Sequence, residues 1–141
     1  MKRLKCNVGE YGIIVNQLGE FLILRLATSK KYPEEAWMLP GGRLDINDQP
    51  GQGLQREIME ETGLNVKVIC PCHVARWGSE KPSKYGVFFL CKLTGKQTVK
   101  ISHEHIESKW IKFSAIEKIP WHRAISKVAA KKSKKFLTKG F

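Results

Sequence analysis

Apolar positions fall into short runs whose spacing changes along the chain. Tyr11-Gly12-Ile13-Ile14-Val15 and Phe21-Leu22-Ile23-Leu24-Arg25-Leu26 are β-rich, and Asn16-Gln17-Leu18-Gly19-Glu20 between them carries turn chemistry. Together they predict a β-hairpin. Ala27 to Ala36 is polar and predicts a surface loop of a length that often serves binding. Trp37-Met38-Leu39 predicts a brief strand, which Pro40-Gly41-Gly42 ends in a sharp turn. Pro50 suits the first helical position, with Asp48 or Gln49 just ahead of it, and Gly63 suits a helix terminator. The helix between them buries Leu54 and Ile58 on the side opposite its glutamates. Leu64 to Trp77 reads as β, Tyr85 to Leu93 as a strand buried on both faces, and Lys96 to Ile101 as a weaker strand. Ser114 suits the N-cap of a short turn over Ala115-Ile116-Glu117. Beyond Pro120, Trp121, Ile125, Val128 and Ala129 recur at helical spacing and predict a final helix with a core-facing stripe.

A length of 141 residues allows one sizeable core, so a single domain over 1–141 is expected, with a basic tail over about 131–141. No apolar run approaches the roughly 18 residues that span a bilayer, and the charged start Met1-Lys2-Arg3 has no apolar stretch behind it. No membrane association and a cytoplasmic location are therefore expected. Cys6, Cys70, Cys72 and Cys91 show no disulfide spacing. Cys70-Pro71-Cys72-His73 lacks the second ligand pair that a zinc site needs, and in a strand its cysteines share a face as small packers. The net charge of +12 changes the picture more. From Lys118 onward there are eight Lys or Arg and no Asp or Glu, which suits a polyanionic partner: a phosphorylated small molecule, or nucleic acid through the tail.

The chemistry concentrates in Gly42 to Leu64. Glu57, Glu60 and Glu61 stand at i, i+3 and i+4, so a helix brings three carboxylates together. Exposed like charges at that spacing repel by a few tenths of a kcal/mol per pair. A hard divalent cation with oxygen ligands offsets the repulsion. A solvated acidic helix face is the alternative, but a Gly-rich loop and Arg56 sit at set distances around these residues in an otherwise basic chain.

Gly42, Arg56-Glu57-Ile58, Glu60-Glu61 and Gly63-Leu64 resemble the Nudix box, Gly-x5-Glu-x7-Arg-Glu-U-x-Glu-Glu-x-Gly-U with U a bulky aliphatic. Trp37-Met38-Leu39-Pro40-Gly41 resembles its lead-in, and Asp48 stands where the family has Glu. The resemblance implies an α/β/α sandwich with a mixed central sheet, the box helix and a C-terminal helix. It also implies metal-dependent hydrolysis of nucleoside diphosphate-linked compounds with Mg2+ or Mn2+. By resemblance Glu60 and Glu61 are metal ligands, Glu57 a ligand or the base, Gly41 a carbonyl ligand, and Arg56 the residue that orients Glu57. Asp48, one methylene shorter than Glu, reaches a metal only through water on this reading. His103 to Ile111 resembles a Glu-x2-Glu-x2-Trp segment before a late strand. Within it Glu104 is the first candidate for a further ligand or base and Glu107 the second. A metal site on His103 and His105 ranks lower, because Mg2+ prefers oxygen.

Substrate identity is less sharply marked. Arg25 could reach a phosphate across the sheet or could lie at the strand edge with its head in solvent. Trp37, Tyr32, Trp77 and Tyr85 are candidates to stack a base, and each is also a candidate packer. The lead-in, with both glycines kept, leans towards a nucleoside triphosphate, ADP-ribose or an NDP-sugar as substrate. RNA 5′-pyrophosphohydrolysis with the Lys131–Lys139 tail on the backbone is one alternative, and a nucleotide-binding module without turnover is another. Many members are homodimers.

Overall fold

The computed structural model describes residues 1–28, 30, 35–78 and 82–137. The sheet is assembled around β1 (Cys6–Val15), which pairs in parallel with β6 (Ser83–Leu93) from Cys6↔Ser83 to Val15↔Lys92. On its other edge β1 takes β4 (Gly41–Arg43) antiparallel over Gly9 to Tyr11, and then meets β2 (Glu20–Leu26) at Val15↔Phe21. β2 in turn pairs antiparallel with β3 (Trp37–Met38) and with β7 (His105–Lys112). β5 (Val66–Trp77) lies antiparallel outside β6 and closes a mixed sheet of seven strands. Pro71 is tolerated because β5 is an edge strand whose register shifts on either side of it.

The hairpin forms where the turn residues predict it. Asn16 Oδ1 accepts the N–H groups of Leu18 and Glu20, and Gly19 takes a φ of +75°. Alternation along the strands then sorts the core into two layers. Ile13, Val15, Phe21, Ile23, Phe88 and Leu90 point to one face, where α2 (Ala124–Ser133) packs through Ala129 and Ala130. Ile14, Leu22, Leu24, Phe89 and Cys91 point to the other, where α1 (Gln52–Thr62) inserts Leu54 and Ile58, both fully buried. Truncating either to Ala removes about 2–5 kcal/mol of stability. The result is a helix–sheet–helix sandwich.

Several local expectations are corrected. α1 begins at Gln52, two residues beyond Pro50, because Gly51 adopts φ +79° and keeps the chain out of the helix. Residues 96–101 form no strand; instead the segment runs along the end of α1, with Lys100 N–H on Thr62 O and Ser102 N–H on Glu61 O. A 3-10 helix over Phe113–Lys118 replaces the short Ser114-capped turn, and Lys112 caps it without a side-chain bond. α2 starts after Trp121, which instead forms a bridge to Trp37. Its buried face is Ser126, Ala129, Ala130 and Ser133, while Val128 is exposed. Of the expected stripe, Trp121, Ile125 and Ala129 do pack on the core, and the small residues beside them let the helix lie close to the sheet. No helix among the described residues is long and apolar enough to cross a membrane.

Candidate active site

α1 presents its glutamates at three depths. Glu60 is exposed, Glu57 half-buried, and Glu61 only 4% exposed, in line with Leu54 and Ile58. The expectation of one glutamate face opposite the core is thus corrected for Glu61. Its Oε1 accepts the Gly41 N–H at 2.7 Å, yet burial, reinforced by Glu57, Glu104 and Glu60, pushes its pKa to about 8. Burial also raises Glu57, with Glu60 the next cause. The helix ends at Gly63 (φ +71°), whose N–H bonds Met59 O. No side chain next to it caps its start. Glu10, buried in β1, does so from across the sheet: its Oε1 accepts the Gly51 N–H at 3.0 Å.

The turn glycines bring backbone up against these carboxylates. A Cβ on Gly42 would lie 2.9 Å from the Glu57 carboxylate, and one on Gly41 would lie 2.2 Å from Glu10 O. Gly41 also holds φ +145°, which L side chains rarely adopt.

Arg56 is tied most closely to Asp48. Its Nη2 stands 2.7 Å from Asp48 Oδ2, while Nη1 reaches Glu60 at 3.4 Å and Glu57 at 3.6 Å. Asp48 also accepts the Asp45 N–H at 2.6 Å, and these two donors hold its carboxyl below the usual range. Asp48 therefore works on the loop and on Arg56, and the contact by which Arg56 is expected to orient Glu57 is a looser ion pair of 3.6 Å.

The segment joined to the end of α1 adds two groups. Ser102 Oγ accepts the Glu104 N–H, and Ser102 O accepts the His105 N–H. Donor atoms of Glu61, Glu104 and His105 lie within 4.8 Å of one another, the group of this kind found among the described residues. Glu57 and Glu60 stand outside that tighter trio but close enough to raise Glu61. His105 is 2% exposed at its side chain, with Nε2 3.9 Å from Glu61 Oε2 and Nδ1 without a hydrogen-bond partner among the described residues. Burial lowers its pKa, which favours the neutral imidazole.

Other expected site residues lie elsewhere. Glu107 is exposed on β7 opposite Arg25, and Arg25 Nη1 sits 3.9 Å from Glu35. Trp37 is 3% exposed in the core with its indole N–H on Glu35, so it has no open face for a base. Tyr32 lies outside the described residues. The cysteines are free; Cys72 is buried and donates to Phe88 O.

A cavity of about 230 Å³ adjoins the carboxylates across β4. Tyr11 stacks on Phe88 at 5.2 Å and meets Trp77 at 6.1 Å, while Arg123 lies 5.9 Å over the Trp77 ring. Gly86 permits this arrangement, since a Cβ there would strike the Trp77 ring at 2.7 Å. Arg43, Lys84 and Arg123 line the cavity, and among the described residues no carboxylate does. The Trp77 indole N–H is buried without a partner among the described residues. Tyr11 feels both Arg123 and Arg43 and both Glu61 and Glu57, which puts it between the cavity and the acids. The aromatic content of the pocket was visible in Trp77 and Tyr85, but nothing in the spacing joined Tyr11, Arg43 and Arg123 to them.

The donor set fits a divalent cation. Carboxylates crowd at a glycine turn with no room for a Cβ, one of them is buried where its charge is costly, and one nitrogen of a buried imidazole lacks a partner among the described residues.

The NUDIX domain family model matches residues 8–131. A MutT-like protein of Streptomyces ambofaciens is 37% identical over 62 residues, which are 44% of this chain and 37% of that protein's length. The bis(5′-nucleosyl)-tetraphosphatase (asymmetrical) of Caenorhabditis elegans is 30% identical over 104 residues, covering 71% of this chain and 72% of that one. The crystal structure of a MutT protein from Methanosarcina mazei Go1 superposes with a TM-score of 0.79 at 23% identity, covering 96% of this chain and 98% of that one. With most of its length inside the family match and its carboxylates at the box helix, the chain belongs to the Nudix family and is a hydrolase of phosphoanhydride bonds.

Proposed function

We propose that the protein hydrolyses a nucleoside polyphosphate, with the base in the Tyr11–Trp77 cavity and the phosphates directed over Arg43 to the glutamates. The observation that carries this reading is the combination of aromatic walls with the three cations Arg43, Lys84 and Arg123. Such a lining favours a strongly anionic nucleotide over an NDP-sugar, whose second half is neutral. A dinucleoside tetraphosphate, the substrate class in the name of the Caenorhabditis relative, fits this charge best.

Glu57, Glu60 and Glu61, with the Gly41 carbonyl, are the residues that would hold Mg2+ or Mn2+. A cation bound there supplies charge neutralisation of diphosphate oxygens and a bound water of lowered pKa. Glu104, exposed beside them, is placed to accept the proton of the attacking water. Arg56 keeps Glu57 and Glu60 in register while Asp48 keeps Arg56. Tyr11 and Trp77 orient the base, so that the reacting phosphate is presented in one pose.

The test is hydrolysis of a panel of diadenosine tetraphosphate, nucleoside triphosphates, ADP-ribose, UDP-glucose and 5′-triphosphorylated RNA, with Glu60→Gln as control. Preferred turnover of the tetraphosphate, with KM raised at least about tenfold by Trp77→Ala, is expected. Preference for UDP-glucose, or a KM indifferent to Trp77, would sink the pocket assignment.

A second reading is RNA 5′-end hydrolysis. α2, which contributes Ile125 and Ser126 to the cavity, ends in Lys131 and Lys132 and is followed by Lys134 and Lys135. That reading requires a steep loss of RNA turnover with added salt.

A further inference from the structure

We infer that His105 is a nitrogen ligand of the divalent cation at this site, and that the site consequently selects a transition ion that accepts nitrogen, such as Mn2+, over Mg2+. The inference rests on the metal-dependent reading above and concerns a residue outside the glutamate box.

Three independent observations carry it. First, His105 is held rigidly where it is: its N–H bonds Ser102 O, Ser102 N–H bonds Glu61 O, and its own side chain is 2% exposed at the first position of β7. The ring therefore cannot swing out to water. Second, one of its two ring nitrogens is left unsatisfied by protein among the described residues. Nδ1 has no hydrogen-bond partner among the described residues, whereas a buried histidine kept only for packing finds one. Third, Nε2 and Glu61 Oε2 are 3.9 Å apart. That is too long for a hydrogen bond, whose heavy atoms approach to about 2.7–3.2 Å. It lies within the roughly 4.0–4.4 Å that two bonds of about 2.0–2.2 Å to a shared ion can span. Glu104 completes the trio within 4.8 Å.

Replacing one oxygen donor by an imidazole changes selectivity in a known direction. Mg2+ takes oxygen, while Mn2+, Co2+ and Zn2+ accept imidazole nitrogen, with affinity generally rising along the series.

The experiment uses the full chain loaded with Mn2+ and pulsed electron paramagnetic resonance to detect nuclei bonded to the ion. Wild type is expected to show 14N modulation that changes to the 15N pattern when the protein is grown with 15N-histidine. His105→Gln is expected to lose it and to bind Mn2+ about tenfold or more weakly, with a smaller loss for Mg2+. His103→Gln, the exposed neighbour, should retain it. Mn2+ bound in a Glu60-dependent manner but without histidine nitrogen coupling overturns the inference and leaves the metal-dependent reading intact. Mn2+ binding that is absent, or indifferent to Glu60→Gln, overturns both. The wild-type spectrum decides the question even if His105→Gln fails to fold.

Discussion

Arg56 Nη2 lies 2.7 Å from Asp48 Oδ2, closer than it comes to any of the box glutamates. The residue that departs from the family pattern is therefore the one that anchors the box arginine. Asp48→Ala should lower kcat by roughly tenfold with KM little changed, because Arg56 then loses its tether to the loop. Gly53→Ala should do the same, since its new Cβ would lie 2.9 Å from the Asp48 carboxyl carbon and 2.8 Å from Leu44. Steady-state kinetics on the two variants checks both. Unchanged kcat in Asp48→Ala would show the tether to be idle.

The neighbouring glycines separate fold from site. Gly41→Ala places a Cβ 2.2 Å from Glu10 O at φ +145° and should cost at least about 2 kcal/mol of stability, read by urea unfolding. Gly42→Ala instead meets the Glu57 carboxylate at 2.9 Å, so turnover should fall with much less loss of stability. Equal destabilisation of both variants would contradict this division.

Glu60 is exposed, so Glu60→Gln should fold normally and still lose about 100-fold or more in kcat. Thermal unfolding and kinetics measured on the same preparation test the two halves together.

Glu61 links pH to stability. Its carboxyl is held at about 8, above its ordinary 4.5, by burial first and then by the neighbouring acids. The protonated form is favoured by folding, so this contribution is complete below pH 4.5 and disappears as pH rises through about 8. In EDTA the melting temperature should fall over that interval. Adding Mg2+ or Mn2+ at pH 8.5 should restore it, since a ligand that binds only the folded chain stabilises it. Glu61→Gln should flatten the pH dependence.

How much of this was legible in the sequence depended on the range of the interaction. Strands β1, β2 and β6 and the Asn16–Gly19 turn follow from local patterning, because alternation and turn chemistry act within a few residues. Glu57 and Glu60 were visible for the same reason. The burial of Glu61 was not, since it depends on Gly41, 20 positions upstream, and on His105 across the loop. The start of α1 was misplaced because Gly51 turns to positive φ and takes its carboxylate partner from Glu10. Of the expected α2 stripe Trp121, Ile125 and Ala129 do face the core, but Val128 is exposed, and the small buried residues Ser126, Ala130 and Ser133 went unseen because large apolar residues outweigh small ones in a periodicity count. The aromatic cavity draws Tyr11, Trp77 and Arg123 from three distant elements, which no spacing rule connects.

The Glu10–Gly51 bond also sets an order of events. The box helix has 11 residues, a glycine at its second position, and no side-chain cap of its own at its start. Isolated helices shorter than about 12–15 residues are marginal even when rich in alanine. The helix is therefore a late passenger in folding: its first turn consolidates only after β1 has delivered Glu10. Its φ-values should be near zero, and its amides should exchange before those of β1 and β6. A nascent or partly unfolded chain then carries its glutamates as separate charges on a disordered strand of polymer, and the carboxylate cluster comes into being as the last act of closing the sheet.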